Sequence, residues 1–231
     1  MPWEQHPRFI SRAKKLVTPA GRRPRTIASG VFKGIRMELD LRHETQVYLG
    51  LYERELYAWL TRLSSNAVTA VDIGAANGEF ALYFLLKSSA RVVVAVEPSE
   101  QARQQLARNL ELNNCAGDRR LTVDPHFVGQ RDSSTERTVD SLLPQVQPPC
   151  VVKIDVDGGE LDVLRGARRT LDRRDVSWIV ETHSEELERQ CRDVLRASGL
   201  ATKVVRNAWW RVLAPEFRPI PHNRWLIGFR A

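Results

Sequence analysis

The chain has 231 residues, 42% hydrophobic and 27% charged, a composition that predicts one globular domain with at most an appendage. Its longest apolar runs, Ala81–Leu86 and Val92–Val96, fall far short of the roughly 20 residues of a spanning helix, and its three scattered cysteines exclude a disulfide framework or a zinc knuckle. The net charge of +7 is local: residues 1–36 hold nine Lys/Arg and one acid, so the remaining 195 residues net −1, which excludes a uniformly basic nucleic-acid-binding body.

Met1–His6 shows no apolar stretch of the secretory kind, and free thiols fit a reducing compartment, so a cytoplasmic chain is expected. Residues 1–29 carry prolines at 2, 7, 19 and 24 and read as a basic, largely irregular arm with a short helix near Phe9–Val17. A domain over residues 30–231 follows. Val31–Leu41 predicts a hairpin turning near Gly34, and Leu56, Leu60 and Leu63 share one helical stripe within Leu51–Leu63.

From residue 67 the pattern alternates. Strands are predicted over Ala67–Ile73, Arg91–Glu97, Leu121–Val128, Cys150–Val156, Val176–Thr182, Leu200–Val205 and Trp225–Phe229. Helices are predicted over Glu79–Lys87, from Pro98-Ser99 through Leu110, along Leu161–Leu171, and after Ser184, whose hydroxyl suits an N-cap ahead of Glu185 and Glu186. Strands alternating with helices give an α/β, Rossmann-like sheet, mostly parallel, with helices on both faces. Ligands of such sheets bind at the carboxyl ends of the strands.

Four strand ends carry chemistry. Asp72-Ile73-Gly74-Ala75-Ala76-Asn77-Gly78 puts an acid just before a glycine-bearing turn, which suits a ligand bearing an amino or sulfonium cation. The dinucleotide fingerprint fails, because positions 76 and 79 are Ala and Glu. Glu97-Pro98 ends the second strand, where a carboxylate holds a ribose diol. Lys153, Asp155 and Asp157 share a strand parity, as do Glu181 and His183. Burying those charges without partners is costly, so a polar cleft holding Lys153, Asp155, Asp157, Glu160, Glu181 and His183 is expected. His183 suits proton transfer near neutral pH; a structural His joining strand to helix is the plainer reading. Mixed O and N donors could also hold a divalent metal, although no ligand spacing forces one.

In order along the chain these segments resemble the FkbM family of S-adenosylmethionine-dependent methyltransferases. The resemblance runs from Gly34 to about His183. It rests on Gly50-Leu51-Tyr52-Glu53-Arg54-Glu55, Val71-Asp72-Ile73-Gly74-Ala75, Val96-Glu97-Pro98, Val139-Asp140-Ser141-Leu142, Lys153-Ile154-Asp155-Val156-Asp157-Gly158-Gly159-Glu160, Val163-Leu164-Arg165-Gly166-Ala167 and Glu181-Thr182-His183. Two departures stand out: Asn77 lies one place later than the family's asparagine, and Asp157 replaces a glutamate. The resemblance implies a seven-stranded class I methyltransferase sheet with its last strand antiparallel. It implies S-adenosylmethionine held by Asp72, Gly74, Ala75, Asn77, Gly78, Glu97 and Pro98, and methyl transfer to a hydroxyl of a small molecule, sugar or secondary metabolite. Asp155 or His183 would serve as base, with Lys153 polarising a hydroxyl or neutralising the carboxylates.

The basic arm and Trp209-Trp210-Arg211 offer the alternative of a nucleic-acid methyltransferase or binder. The near-neutral body and the Asp155-Val156-Asp157-Gly158 strand end argue against nucleic acid and for a small-molecule or glycan acceptor. A non-catalytic cofactor-binding protein is the third reading, prompted by the Ala76-Asn77 shift. The acceptor pocket is expected from the arm, the 129–149 loop and residues 207–224, with Pro215–Pro221 either a lid or a plain connection.

Overall fold

The structure, a computed structural model, describes residues 20–143, 147–212 and 222–230. The helix expected near Phe9–Val17 and the Pro215–Pro221 stretch lie outside them.

Two short antiparallel strands come first, β1 (Arg23–Thr26) and β2 (Arg36–Leu39), with Arg23 opposite Leu39. The predicted hairpin therefore takes its first strand from the arm, in a segment expected to be irregular. Ile27, Phe32, Ile35 and Met37 are buried, and that apolar set pins the hairpin to the body. Helical turns at Thr45–Tyr48, a 3-10 turn at Arg54–Leu56 and the helix Tyr57–Ser64 follow.

The remaining strands are β3 (Thr69–Ile73), β4 (Val92–Val96), β5 (Leu121–Asp124), β6 (Phe127–Val128), β7 (Glu136–Arg137), β8 (Cys150–Ile154), β9 (Val176–Thr182), β10 (Ala201–Val205) and β11 (Arg224–Phe229). Seven of them form the central sheet in the order β10-β11-β9-β8-β3-β4-β5. β11 runs antiparallel to both neighbours and the other pairings are parallel. Every residue of β3 and of β8 is buried, as expected of strands covered on both faces. Alternate residues feed opposite layers. Ala70, Val93, Ala95 and Val151 join Phe32, Phe80, Phe84 and Leu106 on one side, whereas Val71, Ile73, Val94 and Val152 join Trp178, Leu195 and Leu226 on the other.

Two elements differ from the sequence reading. The strand expected over Leu121–Val128 breaks after Asp124, and Phe127-Val128 pairs with β7 in a separate two-stranded sheet. Pro125 intervenes, with no N–H for the ladder. The helix expected along Leu161–Leu171 is two pieces, Glu160–Arg165 and Arg168–Leu171. The break lies where a Cβ on Gly166 would stand 1.9 Å from the Gly129 carbonyl oxygen, and the Asp140 carboxylate accepts from the amides of Arg169 and Thr170 to start the second piece. Ser184 caps the helix Glu185–Ala197 by accepting from Leu187 N–H. No helix among the described residues is long and apolar enough to cross a membrane.

Candidate active site

A cleft of about 680 Å³ opens at the carboxyl ends of β3, β4 and β8, the position dictated by an open parallel sheet. Backbone hydrogen bonds tie these ends together. Gly74 and Ala75 N–H both donate to the Val96 carbonyl at 2.9 and 3.0 Å, and Asp155 N–H donates to Ile73 at 2.9 Å.

Glu97 latches the turn that follows. Its two oxygens accept from Ala76 N–H and Ser99 N–H, each at 2.8 Å. A carboxylate has about four acceptor positions, so lone pairs are left for hydroxyls in the cleft. Ala76 adopts φ +44°, a left-handed conformation that costs a residue with a Cβ roughly 1–2 kcal/mol. We expect Ala76→Gly to raise stability by about 1 kcal/mol, read as a higher denaturation midpoint with an unchanged m-value.

Of the expected cofactor residues, Gly74, Ala75, Glu97 and Pro98 line the cleft. Asn77 and Gly78 do not. The Asn77 carbonyl accepts from Asn109 and its side-chain amide faces Glu44, while Gly78 lets the helix Glu79–Lys87 start close to Leu106. Asn77 and Gly78 thus shape the turn from behind. Asp72 is also absent from the lining: it is 0% exposed, and neither of its oxygens has a hydrogen-bond partner among the described residues. Burial pushes its pKa up to about 7, Lys153 opposing and Asp155 adding to the rise. Glu79, which lines the cleft, is likewise pushed up to about 7 by burial.

Of the six residues expected in one polar cleft, Lys153, Asp155 and Asp157 line it, whereas Glu160 and Glu181 are fully buried outside the lining. Ile154 pairs with Val180, which sets the residues leaving both strands side by side. The Lys153 ammonium, fully buried 4.2 Å from the Phe80 ring centroid, donates to Asp155 Oδ2 at 3.1 Å. Burial alone would lower its pKa, but Asp155, Glu53, Asp72 and Glu181 together hold it above the ordinary lysine value. His183 Nδ1 is hydrogen-bonded to Glu160 Oε1. Desolvation opposes charging the ring, and Glu160, Asp155 and Asp157 outweigh it, so the His183 pKa is raised. Lys153, Asp155 and Asp157 line the cleft, with His183 behind them.

Sequence reasoning missed the wall residues Tyr52, Glu79, Phe80, His126, Phe127 and Val128. Phe127 is 62% exposed, unusual for its ring, and the His126 ring meets Asp124 Oδ1 at 2.7 Å. Pro125 was the available signal, because a strand broken there leaves His126 and Phe127 at a carboxyl end. Trp209, in the stretch expected to help build the acceptor pocket, is 81% exposed. The buried side chain beside it is Arg211, whose guanidinium meets Glu55 Oε2 at 2.6 Å and also reaches Gln46 and Leu51 O.

Residues 121–207, which contain the whole Lys153–His183 cluster, match the methyltransferase FkbM domain. That match spans less than two fifths of the chain. Among solved structures, an FkbM methyltransferase from Methylobacillus flagellatus is 21% identical at a TM-score of 0.56, covering 71% of this chain and 44% of that one. The chain thus spans less than half the length of that protein. A precorrin-6y C5,15-methyltransferase from Geobacter metallireducens is 14% identical (TM-score 0.52, 77% of this chain and 89% of that one). An rRNA methylase from Streptococcus thermophilus is 12% identical (TM-score 0.51, 77% and 97%). No curated protein matches the chain. The matched stretch therefore sits in a class I methyltransferase fold, whose seven-stranded sheet carries one reversed strand.

Proposed function

We propose that this chain is an S-adenosylmethionine-dependent O-methyltransferase acting on a hydroxyl of a small molecule, sugar or secondary metabolite. The domain of this reading is residues 30–231, with residues 1–29 an arm whose β1 docks on it. The carrying observation is the cleft itself, whose nucleoside-side carboxylate, Glu97, stands across the strand ends from a buried, predominantly anionic floor.

The residues suit the cofactor. Glu97 offers acceptors to a ribose diol, and Pro98, Phe127 and Val128 supply apolar wall for a base. The carboxylates of Asp72, Glu79 and Asp155 set a negative potential where a cationic methionine end would lie. When bound, S-adenosylmethionine supplies an electrophilic methyl group whose C–S bond breaks as the acceptor's O–C bond forms, the electron pair leaving on sulfur.

What the chain must add is alignment and deprotonation. Asp155 and His183 form the group that takes up the acceptor's proton. Lys153 holds Asp155 ionised and oriented from beneath, and Glu160 fixes the imidazole.

The test is a thermal-shift titration with S-adenosylmethionine and S-adenosylhomocysteine, followed by label transfer to a panel of hydroxylated acceptors. Ligand at 100 times its dissociation constant should add about 2.7 kcal/mol to native stability. Glu97→Gln should weaken binding by about 30-fold or more. Its amide nitrogen cannot accept from Ala76 or Ser99, so the variant loses a latch as well as a ribose acceptor. Well-folded protein showing no shift with either ligand would sink the reading.

A further inference from the structure

The His183 side chain is 5% exposed. With the Glu160 carboxylate accepting from Nδ1–H, the ring nitrogen left to face the cluster is Nε2. Nε2 has no hydrogen-bond partner among the described residues, yet it faces Asp157 Oδ1 at 3.5 Å and Asp155 Oδ1 and Glu181 Oε1 at 3.7 Å each. These separations are too long for good hydrogen bonds. They suit donors that share one ion, since ligands each ~2.1 Å from a metal at tetrahedral angles stand roughly 3.4 Å apart. Ligand atoms of Asp155, Asp157 and His183 all lie within 4.8 Å of one another.

Lys153 engages Oδ2 of Asp155, so the oxygen of that carboxylate facing His183 Nε2 is Oδ1.

We infer that Asp155, Asp157 and Nε2 of His183 form a binding site for a divalent cation of the Mn²⁺ or Zn²⁺ class, with Glu181 beside them and Glu160 orienting the imidazole. Carboxylate and imidazole donors together suit those ions, and a carboxylate on the far ring nitrogen is the usual support for a ligating histidine. Asp157 is 84% exposed and lines the cleft, so the site has an entry and a side open to an acceptor. The existence of the site is independent of the methyl-transfer reading, but its role rests on it. An ion there lowers the pKa of a coordinated hydroxyl, and Asp155 and His183 then assist deprotonation as its ligands.

The experiment is equilibrium dialysis and calorimetry of untagged, chelator-stripped full chain with MnCl₂ and, separately, ZnCl₂. S-adenosylhomocysteine is titrated into every variant in parallel. The expected result is one ion per chain at micromolar free metal, weakened more than about 10-fold by Asp157→Asn and by His183→Ala and unchanged by Asp193→Asn on the exposed face of the helix Glu185–Ala197. Retained S-adenosylhomocysteine binding in the weakened variants shows that their fold and cofactor site survive. Stoichiometric metal binding without any cofactor binding would keep the site and remove the methyltransferase reading. No stoichiometric ion, or an ion indifferent to both variants, overturns the inference and leaves His183 carrying a proton instead.

Discussion

Gly74→Ala is expected to lower stability by about 3 kcal/mol, the sum of a left-handed backbone penalty and overpacking against atoms that cannot move aside. Gly74 has φ +86°, and a Cβ there would stand 1.8 Å from the Asp155 carbonyl oxygen and 2.9 Å from its carbonyl carbon. Those are backbone atoms at the end of β8, held by the Asp155 N–H bond to Ile73. No rotamer change relieves the clash, so the strand end must shift and carry the Asp155 side chain with it. The melting temperature should fall by roughly 6–12 °C for a chain of this size, and cofactor binding should weaken in the same variant. Gly117→Ala is the matched control. Gly117 has φ +72° with nothing within 4 Å of its Cβ, so it meets the backbone penalty alone, about 1 kcal/mol. Equal losses at the two positions, measured by denaturant unfolding, would remove the close approach of β3 to β8 as the cause.

Asp72→Asn should stabilise the cofactor-free protein above neutral pH and weaken its hold on S-adenosylmethionine. A free aspartate titrates at about 3.9, whereas burial lifts Asp72 to about 7. Below pH ~4 the group is protonated in folded and unfolded chains alike and costs nothing. As pH rises through that window the unfolded chain ionises first, so the wild type loses stability until the folded group ionises too near pH 7. Glu79, also lifted to about 7, acts in the same direction. The variant removes the Asp72 share, so its advantage should be near zero at pH 4 and reach on the order of 1–3 kcal/mol by pH 8. Lys153 keeps Asp155, Glu53 and Glu181 around it, so the ammonium is not orphaned. Cofactor affinity should fall about 10-fold, because the negative potential beneath the methionine end is reduced. Paired pH-dependent melts with and without ligand check both signs. A variant no more stable than wild type at pH 8 would mean that Asp72 is not a buried liability kept for binding.

The alternation of strands and helices was legible from residue 67 onward because apolar period depends on which face each residue presents. The same local chemistry marked Asp72-Ile73-Gly74, Glu97-Pro98, Lys153–Glu160 and Glu181-Thr182-His183 as strand ends, where charged residues break apolar runs. Local period does not tell which strands are neighbours. That β8 lies between β3 and β9, so that Lys153 stands beside Asp72 in register and His183 turns Nε2 toward Asp155 and Asp157, was decided by tertiary pairing. Likewise Asn77 lies in the glycine-bearing turn, but its carbonyl accepts from Asn109 and its side-chain amide faces Glu44, while Gly78 N–H donates to Ala75 O. The breaks after Asp124 and at Gly166 follow from a proline with no ladder donor and from a carbonyl of Gly129 packed where a Cβ would be. By itself the sequence determined where strands and helices alternate and which strand ends would carry charge. Only the tertiary structure decided which charges share a partner, because the distance between two strand ends is set by packing across the sheet and not by separation along the chain.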